Sequence, residues 1–143
     1  MKKSIFLPIV FIPFLIFISC EKKVVEVRYA PVLYDLVAPD SIQRNSPDIH
    51  YVFVSVYDPD GPDDIDSVYF RVTRPDGSLK PDPIPLRDDG QYGDSTADDG
   101  RFSVGLSTYN DTTSLLGNYI FTFYAKDKQG DMSNNPRVTV TEY

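Results

Sequence analysis

Read from Gly117 to Asp127, the chain runs GNYIFTFYAKD, and its side chains sort into two sets by simple alternation. Tyr119, Phe121, Phe123 and Ala125 form one set; Ile120, Thr122, Tyr124 and Lys126 form the other. A period of two belongs to a strand, whose successive side chains point to opposite faces of a sheet. The same rhythm recurs on either side. Val68-Phe70-Val72 alternates with Tyr69-Arg71-Thr73, Phe102-Val104-Leu106 with Ser103 and Gly105, and Val138-Val140 with Thr139 and Thr141. Ile49-Tyr51-Phe53-Ser55-Tyr57 set against His50-Val52-Val54-Val56 is a longer run, apolar on both faces. Phe53, Phe70, Phe102, Phe121 and Phe123 are all expected on inward faces, the mark of a sheet-on-sheet core.

Breakers separate the runs: Asp58-Pro59-Asp60-Gly61, Arg74-Pro75-Asp76-Gly77, Asp88-Asp89-Gly90 and Lys128-Gln129-Gly130. Pro81, Pro83 and Pro85 alternate in a segment that belongs at a sheet edge, because proline donates no ladder hydrogen bond. No segment sustains a helical period and no internal repeat is evident. The expected fold is therefore all-β, an antiparallel β-sandwich of about seven strands. The order of features resembles the immunoglobulin-like and fibronectin type III-like domains of bacterial envelope proteins. Gly117–Asp127 resembles the penultimate strand of that family, which implies that Tyr119 is the corner tyrosine bonding back to the main chain. Asp58-Pro59-Asp60-Gly61 followed by Asp64-Ile65-Asp66-Ser67-Val68 resembles the loop joining its second and third strands. Such sandwiches host many functions, so the resemblance implies a fold and no activity.

The N-terminus reads as an address. Met1-Lys2-Lys3 is a short positive start, and Ile5 to Ile18 is apolar apart from Pro8 and Pro13. That run is shorter than the roughly 20 residues a spanning helix needs and has the dimensions of a secretory signal. Phe17-Ile18-Ser19-Cys20 resembles the lipobox of bacterial lipoproteins, with Phe17 where the family usually has Leu or Val. The resemblance implies a signal peptide over 1–19, cleaved before Cys20, and a lipid anchor of several acyl chains such as palmitate on Cys20. The sole cysteine cannot form an internal disulfide, and acylation removes a free thiol from an oxidising compartment. The organisation expected is signal peptide 1–19, lipidated cysteine and tether 20–30, and one sandwich domain 31–143. Glu21 follows the cysteine in place of the Asp that retains some lipoproteins at the inner membrane, which implies delivery to the outer membrane of the cell envelope.

Charge narrows the partners. The 143-residue chain carries 14 basic and 21 acidic residues; without residues 1–19 the balance is 12 to 21, a net of −9 over 124 residues. Nucleic acid is excluded as a partner on this ground, because its binding needs a positive field. Nearly all the acid is aspartate, a turn-forming residue.

The densest polar feature runs from Arg87 to Phe102, RDDGQYGDSTADDGRF. Asp88, Asp89, Asp94, Asp98 and Asp99 are the candidate calcium ligands, since clustered carboxylates beside glycines can supply the six to eight oxygens that Ca²⁺ takes. The spacing is not that of an EF-hand: counting from Asp88, the third and fifth positions are Gly90 and Tyr92. The alternative for the same aspartates is a set of Asx-turns that organise the loop. Asp58, Asp60, Asp63, Asp64 and Asp66 make a second acidic loop, where turn formation is favoured over a metal site for want of a ligand pattern. His50, the sole histidine, has no second His or Cys partner for a zinc or copper site, and no nucleophile elbow occurs. No catalytic constellation is legible, and an enzyme is not expected. Tyr69, Tyr92, Tyr109 and Tyr124 fall off the inward faces, with Tyr69 and Tyr124 suited to cross-strand pairing. The function expected is a membrane-anchored, non-catalytic module that docks an envelope protein or glycan. The alternative is a calcium-stabilised structural protein with no dedicated ligand.

Overall fold

The computed structural model describes residues 27–143. The expected signal segment 1–19 and Cys20 lie outside the described residues. Eight strands follow in order: β1 Val32–Val37, β2 Ser41–Ile42, β3 Ile49–Tyr57, β4 Ile65–Thr73, β5 Ile84–Leu86, β6 Arg101–Ser107, β7 Gly117–Asp127 and β8 Arg137–Glu142. They form a three-stranded sheet, β1-β3-β6, and a five-stranded sheet, β2-β8-β7-β4-β5. Among the described residues no helix is long and apolar enough to cross a membrane.

The five runs of alternation are all strands, and the strand count exceeds the expected seven because the first strand is split. β1 pairs with β3 in one sheet, and β2 then pairs in parallel with β8 in the other. Every other pairing is antiparallel. Ala38-Pro39 lies between the two halves, where proline removes a ladder donor and allows the chain to change sheets. The proline-rich segment does end a sheet: β5 is the edge strand, and Pro85 stands opposite Tyr69.

Between the sheets, Phe70 and Phe123 are wholly buried on β4 and β7, facing Val52 and Val54 of β3. Phe70 stacks on Phe121 with centroids 4.7 Å apart and tilts against Phe123 at 5.0 Å. Such ring pairs add about 0.5–1.5 kcal/mol beyond the area they bury. Phe102 packs on this core from β6.

Phe53 departs from the expected pattern. On β3 the inward set is Val52, Val54 and Val56, and Phe53 lies on the outer face, half-buried. The reason is volume. β4 and β7 already project three phenylalanine rings into a gap of about 10 Å, and opposite them only valine fits. Because both faces of β3 are apolar, hydrophobicity alone does not fix its parity. Outside, the Arg101 guanidinium lies 4.5 Å over the Phe53 ring.

Phe70→Ala is expected to cost about 3–5 kcal/mol in urea unfolding, the range for truncating a buried phenylalanine. Phe53→Ala should cost less than half as much; an equal loss would show that β3 presents its other face to the core.

Candidate functional site

Two acidic loops lie at one end of the sandwich, and each gathers three carboxylates. In the β5–β6 connection these are Asp88, Asp94 and Asp99, each offering an oxygen within 4.8 Å of the others. Asp88 acts as a clasp. Its Oδ2 accepts from Gly100 N–H at 2.7 Å and its Oδ1 from Asp99 N–H at 3.3 Å, closing the loop on itself. Asp94 is buried, and its Oδ2 has no hydrogen-bond partner. Asp89 and Asp98, also expected as ligands, do not join this group. Both sit in the loop's own main-chain framework instead: Asp89 bridges Ala97, and Asp98 N–H reaches Asp88 O at 3.5 Å. Both readings of the loop therefore have a physical basis here, since Asp88 and Asp99 make turn bonds while Asp94 keeps an oxygen free.

The second group, Asp58, Asp60 and Asp64, occupies the β3–β4 connection with the same 4.8 Å spread. A groove of about 940 Å³ lies between the two loops, lined by Asp58, Asp63, Asp88 and Asp99 together with Tyr34 and Tyr57.

The β5–β6 loop does more than turn the chain. It folds back over the outer face of the three-stranded sheet, and Ser103 Oγ donates to Gln91 O at 2.8 Å to hold it there. Gly105 sits in mid-strand because the Tyr92 ring occupies the space beside it: a Cβ there would meet Tyr92 at 2.7 Å. Gly93 answers it from the loop, with Phe53 2.9 Å from where its Cβ would be. A glycine interrupting a strand pattern is the signal that could have revealed this cover.

Beyond the loop's cover the same face is open. Its register places Val32 opposite Tyr57, Tyr34 opposite Ser55, and Tyr51 opposite Gly105. A bulge at Asp35, with φ 47°, shifts β1 so that Val37 joins this face opposite Phe53. Tyr34, Tyr51 and Tyr57 are 48%, 44% and 60% exposed. The outer face of the five-stranded sheet is different in kind. It carries Arg71, Thr122, Lys126, Arg137 and Thr139, and its two tyrosines, Tyr69 and Tyr124, stack on each other at 5.4 Å.

At the opposite end, Tyr119 hydroxyl donates to Leu115 O at 2.7 Å, the corner bond expected of it. Ser114 Oγ donates to the buried Glu142 carboxylate beside it. His50 is half-buried opposite Leu106, with no acidic or nucleophilic partner among its hydrogen bonds.

No family model and no curated protein matches the chain. Among solved structures, the fibronectin(III)-like modules of CbhA from Clostridium thermocellum are 16% identical, with a TM-score of 0.49, over 82% of this chain and 48% of that one. The chain thus spans about half the length of the CbhA structure. The PKD domain of an M14-like peptidase from a Thermoplasmatales archaeon is 15% identical, with a TM-score of 0.48, over 81% of this chain and 98% of that one. The SrpA adhesin of Streptococcus sanguinis is 13% identical, with a TM-score of 0.48, over 80% and 57%. The sandwich itself rests on the strand pairing described above.

Burial, and after it the negative charge of Glu142, holds the Tyr119 phenol above the ordinary tyrosine pKa. The folded state thus favours the neutral phenol. Its contribution to stability is complete below the ordinary tyrosine range and is lost as pH rises through the raised value. Tyr119→Phe is expected to cost about 1 kcal/mol at neutral pH through the lost hydrogen bond. Melts between about pH 8 and 11 should show a shallower alkaline decline for this variant than for wild type. Parallel declines would rule out coupling of Tyr119 ionisation to folding.

Proposed function

We propose that this chain is a lipid-anchored envelope protein that docks a protein partner through the outer face of its three-stranded sheet, without catalysis. One observation carries the reading: Val32, Tyr34, Val37, Ile49, Tyr51 and Tyr57 are exposed together on that face, whereas on the other outer face Ile120 and the stacked Tyr69–Tyr124 pair stand among threonine, arginine and lysine. Contiguous exposed apolar surface marks interaction sites, and tyrosine suits them because it offers a broad ring and a hydrogen-bonding tip. Asp35 and Asp48, both exposed, flank the patch in the chain, and the mature domain is strongly acidic. The complementary partner has an apolar centre and a lysine- or arginine-rich rim.

The place where the chain enters the fold supports this reading. Tyr29 N–H donates to Asp60 Oδ2 at 2.9 Å, so the chain enters the sandwich beside the β3–β4 loop. From Cys20 to that point the chain extends at most roughly 30 Å. A diacylated cysteine would hold that end toward the membrane and leave the aromatic face sideways, open to a neighbour in the same leaflet.

A second reading has its own support. The free Oδ2 of buried Asp94 favours a calcium ion among Asp88, Asp94 and Asp99 that stabilises the loop over Gly105. A metal at a hundred times its dissociation constant adds about 2.7 kcal/mol, or several degrees of melting temperature. Melting wild type and Asp94→Asn in calcium and in EDTA tests it: the rise should be smaller in the variant, and an equal rise in both would sink this site.

The docking reading is tested in cells with a photo-crosslinking residue placed at Tyr57, and at Tyr124 as the control face. One recurrent protein adduct is expected at position 57 and none at 124. Cys20→Ala should release the protein from the membrane fraction and abolish the adduct. Adducts of equal yield from both faces, or none from either, would refute the docking face. A variant that stays with membranes would refute the anchor.

A further inference from the structure

The β3–β4 loop looks from its sequence like a turn, and its main chain is one: Asp58 O accepts from Gly61 N–H at 3.1 Å, and Gly61 O from Asp64 N–H at 3.1 Å. Its side chains are not accounted for by that turn. Asp58 is only 6% exposed. Its Oδ1 accepts from Asp60 N–H at 2.8 Å, but its Oδ2 is buried with no hydrogen-bond partner. Asp64 repeats the pattern, with Oδ2 buried and unpartnered. Two carboxylates that each keep a donor-less oxygen thus belong to one cluster with Asp60, each of the three side chains offering one oxygen within 4.8 Å of the others.

Three carboxylates this close repel one another, and burying an oxygen that has lost its water without a donor is costly. A recess of about 380 Å³ adjoins the cluster, lined by Arg28, Asp60, Asp64 and Lys128. Neither cation supplies a hydrogen bond to Asp58 Oδ2 or Asp64 Oδ2. A small hard cation satisfies these constraints.

We infer that Asp58, Asp60 and Asp64 form a calcium site, separate from the β5–β6 loop, that fastens the start of the domain to the sandwich. Calcium fits because the donors are all carboxylate oxygen and it accepts six to eight ligands in flexible geometry; the recess leaves room for water to complete the shell. The fastening follows from Asp60. Its Oδ2 holds Tyr29 N–H, so an ion that fixes the Asp60 carboxylate also fixes the chain where it enters the fold. This inference depends neither on the docking face nor on Asp94.

Calorimetric titration of CaCl₂ into the full-length protein in detergent tests it. Wild type should take up calcium, and Asp94→Asn should retain a binding component that Asp58→Asn removes. Asp60 is exposed, so Asp60→Asn preserves the fold and should weaken that component at least tenfold. A second readout needs no variant: calcium in place of EGTA should slow tryptic cleavage after Arg28 severalfold in wild type. No uptake by wild type, uptake abolished by Asp94→Asn yet unchanged by Asp60→Asn, or a cleavage rate indifferent to calcium would each overturn the site.

Discussion

The contact of Phe70 with Phe121 and Phe123 is the constraint to which the rest of the sandwich answers. Three rings between two sheets set the spacing of the sheets and the volume left on the facing strand. That volume admits Val52 and Val54 and turns Phe53, Tyr51 and Tyr57 outward. An aromatic outer face is thus a by-product of an aromatic core. β3 is apolar on both sides, and whichever side is buried, the other presents large apolar groups to solvent. The β5–β6 loop covers part of that surface through Tyr92 and Gly93, and the rest stays open.

Side chains do much of the work that main-chain pairing does elsewhere. Asn134 takes Leu33 N–H on Oδ1 at 2.7 Å and gives its amide to Leu33 O at 3.0 Å. It thereby pairs with β1 as a strand residue would, and ties the N-terminal strand to the connection between β7 and β8. Asp76, Asp99, Asp111 and Asp127 each accept a main-chain N–H in their own turns, and Asp88 accepts one from across its loop. An aspartate-rich chain with long connections keeps its loops ordered this way, because each bond satisfies a donor that a sheet would otherwise have to meet. Against that background the buried, unpartnered oxygens of Asp58, Asp64, Asp89 and Asp94 are the exceptions.

Strand positions were legible because Phe70, Phe123 and Val140 each alternate with polar neighbours, and a buried face imposes that alternation. The corner tyrosine and the proline edge were legible for a similar reason, since each is a local rule about one residue and its main chain. Phe53 was not, because alternation carries no information where both faces are apolar. Nor was the split of the first strand: β2 has two residues, too few to show any period. Among the acidic residues, composition drew attention to the β5–β6 loop, where the aspartates are densest. Density in sequence is a poor guide to convergence in space. Asp89 and Asp98 are drawn into loop pairing, whereas Asp58, Asp60 and Asp64 converge because a tight turn at Gly61 brings the ends of a seven-residue segment together.

The two acidic loops also act on each other. They face across one groove, with Asp58, Asp63 and Asp66 on one wall and Asp88, Asp98 and Asp99 on the other, and Arg87 as the basic residue lining it. A concentration of negative charge at one end of a small domain makes the local potential more negative and attracts counter-ions before any specific ligand is considered. A cation at either cluster would weaken the negative potential felt at the other, so the two cannot be energetically independent even with no shared ligand. Loss of a carboxylate from one loop should therefore ease the repulsion that the other sustains, and coupling of this kind weakens with added salt as screening shortens its reach. On the proposed calcium reading, mutual repulsion and not the chemistry of either turn alone is what would make this end of the sandwich respond to cations.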